Sequence, residues 1–133
     1  MIVVDTNVIA YLLMPGVQNE HARKAYEADP TWVAPLLWRS EFRNVLTTAV
    51  RERGLILPRA KELMALASEL MWNGEYEVQS DKVLQIAAAS GCSAYDCEFV
   101  ALAMDLGIPL VTADTRLAKT FGPTAVPLNE FVQ

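Results

Sequence analysis

The chain has 133 residues, of which 11 are basic and 16 acidic, for a formal charge of −5; 53% are apolar and 20% charged. A chain this long fits one domain, residues 1–133, that buries about two thirds of its unfolded surface without needing disulfides. The composition excludes a disordered tail or low-complexity linker, and the acidic balance argues against a general nucleic-acid coat.

Mean hydropathy is +0.20, which points either to apolar surface covered by a partner or to a very apolar core. Six of the basic residues cluster: Arg39, Arg43, Arg51, Arg53, Arg59 and Lys61. Such a run reads as a solvated helix face or as a grip on phosphate. The opening Met1-Ile2-Val3-Val4-Asp5 lacks a basic leader, and no apolar run approaches a membrane span. Cys92 and Cys97 match no metal or redox spacing. The expectation is a cytoplasmic protein with two free thiols and no membrane partner.

In chain order, Ile2–Val4 is a short apolar run suited to a strand buried on both faces. A short helix over Val8–Leu13 stops at Pro15-Gly16, and a second spans Gln18–Ala28. Thr31–Ala34 is the second strand. Leu36–Arg53 is a long helix with Trp38, Phe42, Val45, Leu46 and Ala49 on one stripe, ended by Gly54. Pro58–Trp72 follows as a helix, then an Asn73-Gly74 turn and a weak strand at Tyr76–Val78. Ser80 or Asp81 caps a helix to Ser90, and Ser93 caps one over Ala94–Leu106. Ile108–Thr112 is a clear strand, Asp114-Thr115-Arg116 opens a short helix, and Ala125–Leu128 is a weak last strand. Alternating strands and helices predict a parallel sheet covered on both faces, with any ligand site beyond the carboxyl ends of the strands.

Two carboxylates fall at that edge. Asp5 follows the first strand directly, and Asp114 follows Leu110-Val111-Thr112 after one residue. Each can equally be a helix N-cap. Asp96 lies in the first turn of its helix, where the macrodipole favours an anion. Glu41 borders the apolar stripe of its helix, an expensive place for a carboxylate unless it is paired with Arg39 or Arg43, reaches water, or ligates a metal. Four carboxylates meeting in one pocket would have to take up protons or accept cations. All-oxygen ligands select Mg²⁺ or Mn²⁺, which serve phosphoryl chemistry. Thr6, Asn7 and Thr112 flank the acids and either orient ligands or merely cap. Arg39, Arg43 and Arg116 are candidates to hold substrate phosphate. His21 is the only histidine and lies on a polar stretch, so histidine-based catalysis fits poorly.

Val3-Val4-Asp5-Thr6-Asn7, Trp38-Arg39-Ser40-Glu41-Phe42, Ser93-Ala94-Tyr95-Asp96 with Phe99–Ala103, and Leu110-Val111-Thr112-Ala113-Asp114 together resemble the PIN domain in order and spacing. Among PIN domains, the chain is most similar to the VapC-type toxins of toxin–antitoxin pairs. The resemblance implies a three-layer α/β/α fold with a mainly parallel sheet and a magnesium- or manganese-dependent endoribonuclease. By position, Asp5, Glu41, Asp96 and Asp114 match the family's acidic quartet, with Asp5, Asp96 and Asp114 as metal ligands, and Thr112 matches its hydroxyl position. It further implies an RNA substrate, a homodimer and a cognate antitoxin that inserts into the acidic groove. Two other readings compete: a receiver-like phosphoacceptor module, which lacks paired acids after the first strand and has only Lys119 late in the chain, and a catalytically silent PIN-like binding module.

Overall fold

Three short runs of apolar residues become the inner strands of a sheet because both of their faces are covered. β1 (Ile2–Val4), β2 (Trp32–Pro35) and β4 (Leu110–Thr112) are buried along their whole length. The computed structural model describes residues 1–133. Two edge strands, β3 (Glu75–Tyr76) and β5 (Ala125–Pro127), complete an all-parallel sheet in the order β3-β2-β1-β4-β5. This is not the 2-1-3-4-5 order of receiver modules, and Lys119 lies on an exposed helical turn, so the phosphoacceptor reading loses its scaffold.

The helices are α1 (Thr6–Leu13), α2 (Asn19–Ala28), α3 (Trp38–Glu52), α4 (Leu57–Leu70), α5 (Ser80–Ser90), α6 (Ala94–Leu106), α7 (Thr115–Thr120) and α8 (Leu128–Phe131). Right-handed crossovers place the connections β1→β2 and β2→β3 on one face of the sheet and β3→β4 and β4→β5 on the other. The packing agrees: α1 meets α2, α3 and α4, while α6, backed by α5, lies against β1, β2 and β4. Trp38 and Phe42 of α3 are fully buried, as are Val3, Val4, Leu110 and Val111 of the central strands. No helix is long and apolar enough to cross a membrane, and both cysteines are free and buried.

Several boundaries depart from the local reading. α1 begins two residues early because the Asp5 carboxylate, its N-cap, accepts from the Val8 amide. α3 begins at Trp38 because Pro35, Leu36 and Leu37 are used to close β2 and turn. The α5 cap is Gln79, with no side-chain bond, rather than Ser80 or Asp81. Ser93 does cap α6, accepting from the Asp96 amide at 3.0 Å. The third strand sits at Glu75–Tyr76 rather than Tyr76–Val78, because Gly74 packs onto the backbone of β2: its carbonyl accepts from Ala34 at 2.8 Å. Leu128 does not close the last strand but opens the short helix α8.

Candidate functional site

In the strand order the chain reverses direction between β1 and β4, which leaves a crevice beyond their carboxyl ends. Asp5 leaves β1 there and Asp114 follows β4. A cavity of about 440 Å³ opens at this point, and Asp5, Glu41, Asp96 and Asp114 all line it. α3 brings Glu41 from one face of the sheet, and the amino end of α6 brings Asp96 from the other.

Asp5 is the most tightly held of the four. Its Oδ1 accepts from the Val8 amide at 3.0 Å. Its Oδ2 accepts from Thr112 Oγ1 at 2.5 Å and from the Ala113 amide at 3.1 Å. The carboxylate therefore bolts β1 to the end of β4. Burial pushes its pKa above the usual carboxylate range; the three hydrogen bonds oppose that, and the charge of Asp114 adds to it.

Thr112 is fully buried, and its hydroxyl oxygen also accepts from the Asp114 amide at 3.0 Å. Asp114 Oδ1 then caps α7, accepting from the amides of Arg116 and Leu117 at 2.9 and 3.1 Å. Both aspartates are helix caps and both line the cavity. Capping and a place in the site are not exclusive: Asp114 caps through Oδ1 alone, and Asp5 Oδ1 accepts only one hydrogen bond.

Glu41 is half-buried, and Thr6 Oγ1 donates to its Oε1 at 2.7 Å. Burial raises its pKa; the Thr6 bond lowers it, and the charges of Asp96, Asp5 and Glu98 raise it again. A carboxylate on an apolar border is costly, and Thr6 offsets that cost rather than Arg39 or Arg43. Asp96 makes no side-chain hydrogen bond, so both of its oxygens are free for a ligand.

The three candidate arginines stand outside this cavity. Arg39 is clamped by Glu75, with Nε to Oε2 at 2.5 Å and Nη2 to Oε1 at 2.6 Å. Trp38 Nε1 joins the same Oε2 at 3.0 Å. Arg43 lines a separate groove between α3 and α4. Arg116 is exposed and donates to the Gly91 carbonyl at 3.2 Å. Asn7 lines the cavity with no side-chain partner. Ser40, Asn44 and Tyr95 line it too, and sequence reasoning does not single them out as site residues. Asn44 carries a signal, since it follows Glu41 by three residues on one helix face.

The chemistry of the donors suits a hard cation: every charged group on the cavity is a carboxylate, and neither His nor Cys lines it. No three of the chain's His, Cys, Asp and Glu side chains stand close enough to form a closed cage. An open carboxylate cavity fits Mg²⁺, which keeps several waters and takes one or two carboxylates directly.

Four ordered motifs and this sheet agree with a comparison of the chain against known families, in which the PIN domain matches residues 2–122. The chain belongs to the PIN domain family. A relative from Pyrobaculum aerophilum, Ribonuclease VapC3, is 29% identical over 135 residues, spanning 95% of this chain and 98% of that protein. Three solved structures share the fold. A Pyrobaculum aerophilum protein covers 98% of this chain and 92% of its own, with a TM-score of 0.78 at 21% identity. A toxin–antitoxin complex from Klebsiella pneumoniae covers 96% and 98%, with a TM-score of 0.73 at 17% identity. FitAcB from Neisseria gonorrhoeae covers 96% and 98%, with a TM-score of 0.69 at 18% identity. The three-layer PIN architecture accounts for the all-parallel sheet and for the position of the acidic cavity at its carboxyl edge.

Proposed function

We propose that this PIN domain is a divalent-metal-dependent endoribonuclease, the toxin of a toxin–antitoxin pair. The observation that carries the reading is the set of four carboxylates, from β1, α3, α6 and the end of β4, around one cavity at the strand-order reversal. Kinship with a ribonuclease over nearly the full length supports the same reading.

Asp5, Asp96 and Asp114 would hold Mg²⁺ or Mn²⁺, one or two of them directly and the rest through waters the cation keeps. When bound, such a cation eases the deprotonation of water near neutral pH and neutralises charge on phosphate oxygens. Glu41 has its own part. Its pKa is raised, Thr6 fixes one of its oxygens, and the other is free to take a proton from an attacking water. Thr112 orients Asp5 and opposes the rise that burial imposes on its pKa, and through the Asp114 amide it sets the two aspartates against each other. The substrate class is RNA whose target phosphodiester is accessible in a loop or single strand. A protein antitoxin that covers the acidic cavity and a homodimeric toxin complete the proposal; kinship in fold with a toxin–antitoxin complex supports the first.

The test is cleavage of loop-containing RNA with Mg²⁺ or Mn²⁺, with chelator, and by Asp5→Asn and Asp96→Asn. The second variant matters most, because Asp96 makes no side-chain hydrogen bond in the fold, so replacing it breaks none. Cleavage that survives chelation, or that Asp96→Asn retains in full, sinks the proposal.

A further inference from the structure

A second cavity of about 490 Å³ runs along α1 and α3 and shares Asn7, Asn44 and Val45 with the acidic one. No Asp or Glu lines it, and its single cation is Arg53, at the carboxyl end of α3. Asn7, Asn44 and Arg53 are exposed, and their side chains make no hydrogen bond or ion pair within the chain. Glu41, Asn44 and Thr48 recur at three and four residues, so one face of α3 leads from the acids to the groove. From Glu41 to Arg53 is twelve residues, roughly 18 Å of helix.

That spacing has an electrostatic consequence. A cation side chain placed among the four acids would pair with them and not with a phosphate. At roughly 18 Å, about twice the Debye length at physiological salt, Arg53 is screened from the acids and stays available. Beside the acids themselves stand amides, which donate hydrogen bonds without carrying charge.

We propose that this groove is the channel for the substrate strand. It rests on the ribonuclease reading. The RNA chain leaving the acidic cavity lies between α1 and α3, with Asn7 and Asn44 donating to its oxygens next to the cleaved bond. The Arg53 guanidinium binds a phosphate at the far end. The grip on substrate is thus Arg53, not Arg39 or Arg43.

The experiment measures kcat and KM on a single-stranded RNA, and Kd for the same RNA on an Asp96→Asn background, at several salt concentrations. Arg53→Ala raises KM and Kd about three- to tenfold, leaves kcat nearly unchanged because it does not touch the reacting atoms, and lowers the slope of log Kd against log salt by about 0.7. Arg53→Lys keeps the slope. Asn44→Ala raises KM without changing the slope. Arg51→Ala, which removes the same charge from the α3–α4 groove, changes neither. A Kd and slope unmoved by Arg53→Ala, or moved equally by Arg51→Ala, overturn the channel and leave the groove to a protein partner. A wild-type protein that binds RNA through Arg53 but never cuts it overturns the ribonuclease reading instead.

Discussion

Replacing Thr112 by Val tests whether Asp5 and Asp114 work as a linked pair. The side chains are close in volume and the site is fully buried, so the change removes one hydroxyl and little else. That hydroxyl donates to Asp5 Oδ2 at 2.5 Å and accepts from the Asp114 amide at 3.0 Å. A hydrogen bond to a charged group contributes about 1.5–3 kcal/mol, and orphaning the Asp114 amide costs about 1 kcal/mol more. The expected loss is about 3 kcal/mol. With an unfolding entropy of about 2.1 cal/mol/K per residue, that lowers the melting temperature by roughly 10 °C. Cleavage falls about 10- to 100-fold, the usual cost of losing a group that orients a metal ligand. The sign on pH also follows. The Thr112 bond lowers the Asp5 pKa, so its loss lets Asp5 take a proton at higher pH, and the acid limb of activity moves upward. Thermal melts and a pH–rate profile measure both effects, and Thr112→Ser restores them. Wild-type melting and cleavage in Thr112→Val, or failure of Thr112→Ser to rescue, would refute the linkage.

Glu41→Gln keeps the acceptor for Thr6 and removes a crowded charge. The Glu41 pKa is raised above 4.5 in the fold, so the wild type loses stability as pH rises through the folded value. In chelator, the variant therefore has the higher urea midpoint at neutral pH, the gain fades in acid, and cleavage is lost. The opposite holds at Glu75, whose pKa the Arg39 guanidinium holds below 4.5. Its contribution is present above 4.5 and disappears as pH falls through the depressed value, so melts of wild type and Glu75→Gln differ at neutral pH and converge in strong acid. Gly74→Ala puts a methyl 2.1 Å from the Trp32 carbonyl oxygen, a backbone atom that cannot step aside. It costs more than about 3 kcal/mol and yields little folded protein; normal expression and melting of that variant would contradict the packing of β3.

Much of this protein is written locally. Asp5 and Asp114 follow their strands as caps, Ser93 caps α6, and Gly54, Gly91 and Gly107 adopt the positive φ that ends a helix. Glu41 stands out because a charge on an apolar helix border is costly, and that cost does not depend on the rest of the fold. The shifted third strand and the helix α8 mark the reverse case. β3 is two residues at an edge and α8 is four, too short to carry a period, and each exists because of what it packs against.

Residue types, helical periods, the caps at Asp5, Ser93 and Asp114 and the order of the four acidic motifs were therefore determined by the sequence alone, because each rests on neighbours within a turn or two, whereas the α5 cap fell on Gln79 instead of Ser80 or Asp81. Which elements meet was decided only by the tertiary structure. Strand order placed β1 beside β4, so that Thr112 reaches Asp5 across 107 positions of chain. Helix packing gave Glu41 a threonine partner, spent Arg39 on Glu75, and left Arg53 free beside a groove with no acids. Contacts between distant segments depend on the topology that closes the loops between them, and local pattern narrows that choice to a parallel sheet without fixing strand order or side-chain partners.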